Sequence, residues 1–119
     1  MAGTIVADTI QDGAGNSTAM DNAIYGSAKA WVNFTGSNGV IRASYNVSSV
    51  TRNGTANYTV NFTNAFVDTN YCVQVLSQGT ASILWNTGMT FNTTSYTYLV
   101  QNGGSTGLDA TYNCVVFFR

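Results

Sequence analysis

The side chains that most often move protons or attack substrates are scarce in this sequence. Its 119 residues include five acidic side chains, all Asp, and no His. Without His, no Ser–His, Cys–His or His–Asp arrangement can form. Five scattered Asp also offer little material for the paired carboxylates of glycoside hydrolysis. We therefore predict that the chain is not an enzyme.

The residues that bind metal ions or phosphate groups are scarce as well. Two Cys without His cannot complete a tetrahedral zinc site, and no Lys follows the glycine-rich stretch 103–107 to make it a phosphate-binding loop. Asp68 and Asp109 lie in loops, where a shared Ca²⁺ held with carbonyl and Asn oxygens is one interpretation. Solvent-facing acids are the simpler one. We expect no cofactor and no metal.

Cys72 and Cys114 each lie in an apolar, strand-like run. A free thiol in such a run behaves as a small buried hydrophobe, and a bacterial cytosol keeps thiols reduced. We favour two buried free thiols, with a single disulfide as the alternative.

Aromatic side chains are the remaining candidates for recognition. Tyr58 and Phe62 alternate with polar residues and are predicted to belong to the core. Trp85, Tyr96 and Tyr98 are the better candidates for a contact surface. Such a surface suits a protein neighbour, which we favour, or a glycan that stacks on the rings.

Strands must position these side chains, because from Lys29 onward apolar and polar residues alternate with a period of two. Asn53-Gly54 predicts a hairpin turn, and Gly79 and Gly88 predict breaks on either side of a short strand over 82–85. About seven or eight short strands with regularly spaced turns predict an all-β domain over residues 29–119. We expect an antiparallel sandwich or a jelly-roll-like barrel.

Residues 1–28 differ from the rest of the chain. They are rich in Ala and Gly, carry three of the five Asp and show no helical period. We interpret them as an extended N-terminal arm leading into the domain. The apolar side chains of this arm that are predicted to contact a partner are Ile5, Val6, Ile10, Ile24 and Tyr25.

The composition bears on partners. Only 8% of the residues are charged, the net charge is −1 and there is no Pro. A neutral surface packs against another protein without stripping ions of water, and strand edges without charge or Pro invite pairing. We predict an oligomer, with a neutral monomeric β domain as the alternative. No basic stripe suits nucleic acid, no apolar run suits a membrane, and the N-terminus has no secretory pattern.

Four segments carry a resemblance to a known family. They are 28–34 (AKAWVNF), 41–50 (IRASYNVSSV), 54–62 (GTANYTVNF) and 70–73 (NYCV), with a leader-like stretch over 3–12. Together they resemble a module of bacteriophage virion proteins, especially cyanophage ones, found in tail-fibre-like proteins and in small capsid-associated proteins.

The resemblance implies a homotrimeric all-β domain without enzyme activity, located in the virion after assembly in the bacterial cytoplasm. A stand-alone version would decorate or cement the head by contacting the major capsid protein. A fibre version would recognise the host surface, including its glycans. This chain is short and has no fibrous shaft, which favours decoration, with the arm adding a strand to a capsid or neighbouring-subunit edge. The receptor-binding role is the alternative.

Overall fold

The computed structural model describes residues 3–79 and 84–119. Within them the chain forms ten strands and one short helix. In order they are β1 (Thr9–Gln11), β2 (Ser17–Ala19), α1 (Met20–Gly26), β3 (Ala28–Phe34), β4 (Ile41–Tyr45), β5 (Val47–Gly54), β6 (Asn57–Phe62), β7 (Cys72–Gln78), β8 (Leu84–Phe91), β9 (Ser95–Asn102) and β10 (Tyr112–Phe118). The first half of the strand predicted over 82–85 lies outside the described residues, and its second half begins β8.

Eight of the described strands form two antiparallel four-stranded sheets that pack as a sandwich. The first sheet has the order β4-β3-β10-β7, and the second has the order β5-β6-β9-β8. The strands β1 and β2 form a separate hairpin in the arm. The predicted all-β sandwich is therefore confirmed.

The core lies between the two sheets and is rich in aromatic rings. Strand alternation directs one side of each central strand inward, as in β6 and β9, where every second residue is buried. Phe34 packs edge-on against Tyr58 with ring centroids 5.1 Å apart. At the other end of the core, Phe62 packs edge-on against Phe117 at 4.9 Å. Such pairs stabilise the packing beyond their buried area.

Asn46 forms the corner at which the chain passes from the first sheet to the second. Its φ of 53° is a left-handed conformation that Asn tolerates better than most residues. Its side-chain oxygen accepts a hydrogen bond from the Asn64 amide at 2.8 Å, and its side-chain nitrogen donates to the Lys29 carbonyl at 3.1 Å. These bonds tie the corner to two other segments.

Two predictions of where the chain turns or breaks were wrong. The hairpin before β6 does not turn at Asn53-Gly54, because Gly54 pairs with Asn57 and the loop is Thr55-Ala56, with Ala56 at a φ of 66°. Gly88 does not break the chain into two strands. β8 runs through it, and a register shift at that point lets Gly88 adopt a φ of 58°.

The arm is more structured than the sequence predicted. After an extended stretch it holds a hairpin closed by an Asp12 turn and then the helix α1. The sequence shows no helical period in residues 1–28, so it did not predict α1. The helix spans seven residues and buries none of them, so it has no apolar stripe for a periodicity argument to detect.

Candidate interaction surfaces

The outer face of the first sheet carries apolar side chains where a solvated sheet usually carries polar ones. In β3 the residues Ala30, Val32 and Phe34 point into the core, so Trp31 points outward. We name this outer surface the aromatic face; it comprises Trp31, Tyr45, Leu76, Tyr112 and Val116.

The side chains of the aromatic face are neighbours across the strands. Trp31 is in register with Tyr45 on one side and with Val116 on the other. Cys114 is in register with Leu76. The exposed fractions are 39% for Trp31, 58% for Tyr45 and 68% for Leu76. A shallow groove of about 240 Å³ runs between them and is lined by Trp31, Val32, Asn33, Gln74, Leu76, Cys114, Val115 and Val116.

The cation of Arg42 borders this surface. The Arg42 guanidinium lies 4.2 Å from the centre of the Tyr112 ring, a cation–π contact. It also donates hydrogen bonds to the Asn33 side chain at 3.1 Å and to the Thr111 carbonyl at 2.9 Å. The ion pairs within the described residues involve only Arg52 and Arg119, so Arg42 has no carboxylate partner there.

On the outer face of the second sheet, the strands β5 and β6 and the first part of β9 carry a neutral network of amides and hydroxyls, which we name the amide–hydroxyl face. Trp85 lies on the same side of the sheet but on its edge strand β8. Asn61 donates to both Ser49 and Thr51, at 3.0 and 3.1 Å, and the hydroxyls of Thr59 and Thr97 lie 2.8 Å apart. Because these groups satisfy one another, this face has less to gain from a protein neighbour than the aromatic face.

The three aromatics predicted to form a recognition surface separate in the structure. Trp85 is 45% exposed at the start of β8, as predicted. Tyr96 and Tyr98 are fully buried on the inner side of β9, so their assignment to a contact surface was wrong. The alternation of Tyr96, Tyr98 and Val100 along one strand was the available signal that all three point into the core.

Burial determines the chemistry of these two tyrosines. It raises the pKa of Tyr98 and raises that of Tyr96 to about 12. The Tyr98 hydroxyl donates to the Asn113 side chain at 3.4 Å. The Tyr96 hydroxyl has no hydrogen-bond partner within the described residues. Both rings therefore belong to the packing of the sandwich.

The predicted arm contacts are all exposed. Ile5 and Val6 lie before β1 and are 86% and 93% exposed. Ile10 lies in β1, and Ile24 and Tyr25 lie on α1; all three are also exposed. None of the five packs into the body of its own chain.

Both cysteines lie on the outer side of the first sheet. They are free thiols, with Cys72 exposed and Cys114 half-buried in the groove. The favoured prediction of free thiols is confirmed, but the prediction that both are buried was wrong. In both strands it is the following residue, Val73 or Val115, that points into the core. Each Cys therefore points outward.

The two loop acids form separate ion pairs rather than a shared cation site. Asp68 binds Arg119 at 2.7 Å, and Asp109 binds Arg52 at 2.6 Å. These pairs lie at opposite ends of β10, because Asp109 precedes that strand and Arg119 follows it. In the part of the chain that the structure describes, no three His, Cys, Asp or Glu side chains are close enough to hold a metal ion.

Asp109 is the centre of a small polar cluster. It accepts hydrogen bonds from the Tyr58 hydroxyl at 2.7 Å and from the Ala56 amide at 2.9 Å in addition to those from Arg52. Partial burial opposes its ionisation, but these hydrogen bonds and the Arg52 charge outweigh it and lower its pKa to about 2. The cluster fixes one end of the sandwich.

Comparison of the chain with protein-family models, curated proteins and solved structures finds no match. No helix within residues 3–79 and 84–119 is long and apolar enough to cross a membrane.

Proposed function

We propose that this chain is a non-enzymatic structural subunit of a bacteriophage particle, a head decoration or cement protein that acts as a homotrimer. The observation that carries the proposal is the pair of unpartnered apolar surfaces, the aromatic face and the arm. Exposed apolar surfaces mark sites of interaction, and contact with another protein is the kind that we propose here. The resemblance of segments 28–34, 41–50, 54–62 and 70–73 to phage virion modules supports the particle as the place of action.

The mechanism rests on contacts. A decoration protein sits across the seams between capsid subunits and resists the outward pressure of packed DNA. A capsid offers the same docking site many times, so subunits joined into an oligomer bind with avidity although each contact is weak. A low-charge surface suits this role, because close packing against a neighbour desolvates few ions.

The test is the position of the protein on intact particles. Gold-labelled antibodies or cryo-electron microscopy should place it over the whole head. Particles stripped of the protein should break at lower temperature and regain their stability when the purified protein is added back. Absence from the particle, or stripped particles as stable as complete ones, would contradict the proposal.

A receptor-binding role is the second candidate, and the exposed Trp85 favours it. Trp85 is in register with Gln101, and an aromatic ring beside an amide suits a sugar. In this case Trp85→Ala should reduce adsorption to host cells while the particle stays intact. Met89→Ala, on the same strand and 50% exposed, is the matched control. Label confined to the tail would support this role over decoration.

A further inference from the structure

We propose that the arm of one copy, residues 3–26, lies across the aromatic face of a second copy. The inference rests on the self-assembly in the proposed function and is independent of a place in the virion. It concerns two apolar surfaces of the described residues, the aromatic face and the arm, and it states that they are partners of each other.

The first step concerns shape and polarity. The aromatic face is open, and its groove accepts apolar side chains between Trp31 and Leu76. Across four strands the face is roughly 15 Å wide, given a strand spacing of about 4.8 Å. The arm offers Ile5 and Val6 in a segment without regular structure and Ile10 in a hairpin. An apolar groove and exposed aliphatic side chains are complementary.

The second step concerns charge. The arm carries Asp8, Asp12 and Asp21 and no Lys or Arg. In the body, Arg52 and Arg119 are neutralised by Asp109 and Asp68. That leaves Lys29 and Arg42 without a carboxylate among the described residues, and Arg42 lies at the aromatic face. An acidic arm on this face is electrostatically favourable, whereas two aromatic faces in contact would bring the Arg42 side chains of both copies together.

The third step concerns which chain supplies the arm, the same copy or a second one. In its own chain the arm leaves its apolar side chains in solvent, and the molecule is elongated, with extents of 49 × 30 × 25 Å. A contact from arm to face between copies is either reciprocal, in a two-fold dimer, or heterologous, with each copy giving its arm to one neighbour and receiving an arm from another. The heterologous form closes into a ring when the rotation allows it. This arrangement is compatible with a trimer.

The native thiols allow a direct test on the purified protein. One protein carries Cys72→Ser, which leaves Cys114 in the groove as its only thiol. The other carries Cys72→Ser, Cys114→Ser and Ile5→Cys. Mixed and treated with a short bis-maleimide, they should form a heterodimer linked from position 5 to Cys114. The matched control replaces Ile5→Cys by Thr51→Cys, on the amide–hydroxyl face, and should give only background. Equal yields from the two mixtures would overturn the inference.

A second measurement distinguishes the arm from other occupants of the groove. At a concentration about ten times the midpoint of assembly, Cys114 should react with iodoacetamide about tenfold more slowly, because only the free fraction exposes it. Deletion of residues 2–20 should restore the fast rate, and so should full-length Ile5→Asp/Val6→Asp, which keeps the hairpin. Protection that survives both changes would show that something other than the arm covers the face and would overturn the inference. Fast labelling of the unaltered protein at every concentration would do the same.

Discussion

At the scale of single residues, Asp109 does the most to hold one end of the sandwich together. Its carboxylate accepts bonds from Arg52, Tyr58 and Ala56. Asp109→Asn leaves Arg52 without a counter-charge in a partly buried site, so we expect a loss of about 2 kcal/mol in the free energy of unfolding. Asp68→Asn breaks a more exposed pair and should cost less, because solvent screens that pair. Urea denaturation of both variants is the test, and equal losses would contradict it.

Acid should weaken the protein through the same carboxylates. Asp109 and Asp68 both have a pKa of about 2 in the folded chain, below the ordinary value of 3.8. Between these values the unfolded chain binds more protons than the folded one, so stability falls as the pH falls from about 5 to 2. Urea midpoints measured across this range should show the decline. Asp109→Asn should flatten it in part. Asp68 and Asp12, whose pKa is also lowered by its hydrogen bonds to Asn16, maintain the remainder. An unchanged slope would contradict the role of Asp109.

The residue scale is also where prediction from sequence was least complete. The absence of His and the small number of acids could be read directly, and Trp85 was placed correctly on the surface. Tyr96 and Tyr98 were misplaced because a tyrosine suits a wet surface and a dry core equally well. Which of the two applies depends on the opposite sheet and on the segment that leads into it, because Phe117 of β10 and Tyr71 before β7 pack against Tyr96. A local pattern does not contain that information.

At the scale of elements, the corner at Asn46 joins the last strand of the first sheet along this part of the chain, β4, to β5 of the second sheet. Asn46→Ala keeps the left-handed φ, which Ala adopts at a cost, and it also removes the side-chain bonds to Asn64 and Lys29. We expect a loss of about 2 to 3 kcal/mol in unfolding free energy. Asn46→Gly loses the same bonds but tolerates the φ, so it should cost about 1 kcal/mol less.

Thermal and urea unfolding of the two variants separate the two contributions. If Asn46→Gly is as unstable as Asn46→Ala, the backbone conformation is not a source of the instability. If both variants match the unaltered protein, the corner is held by the strands alone.

The elements themselves show what a sequence can and cannot give. The strand over Asn57–Phe62 was predicted because its alternation is uninterrupted and each apolar residue is buried. The loop Thr55-Ala56 was missed because Asn53-Gly54 is the stronger local turn signal. The Ala56 amide of this loop donates a hydrogen bond to Asp109, which lies 53 residues away along the chain. A short stretch of sequence does not show contacts between residues that are so far apart along the chain.

At the scale of the whole molecule, the two outer faces of the sandwich differ more than the composition indicates. The predicted sandwich and the predicted N-terminal extension could be derived from period and composition. The division into an aromatic and an amide–hydroxyl face could not, because it depends on which strands pair. Only pairing places Trp31 beside Tyr45 and Val116, and Asn61 beside Ser49.

Because the two faces differ, a charge introduced on the aromatic face can identify what covers that face. A negative and a positive charge should affect assembly differently. Trp31→Glu and Trp31→Lys both remove the central ring of that face and should both shift the oligomer toward monomer in light scattering. If an acidic arm covers the face, the Glu variant meets like charge and the Lys variant meets opposite charge, so assembly should be weaker for Glu than for Lys. Raising the salt concentration should narrow the difference, because the charges are near the surface.

The matched controls are Thr51→Glu and Thr51→Lys on the amide–hydroxyl face, which should leave the oligomer intact, and circular dichroism should show a folded sandwich for all four variants. A face covered by a second aromatic face would reverse the order, since each Glu would then meet the Arg42 of the partner subunit. Equal assembly of all four variants would mean that the aromatic face is not buried in the oligomer at all. The order of the two Trp31 variants thus tests the charge argument separately from the apolar one, which neither variant alone can do.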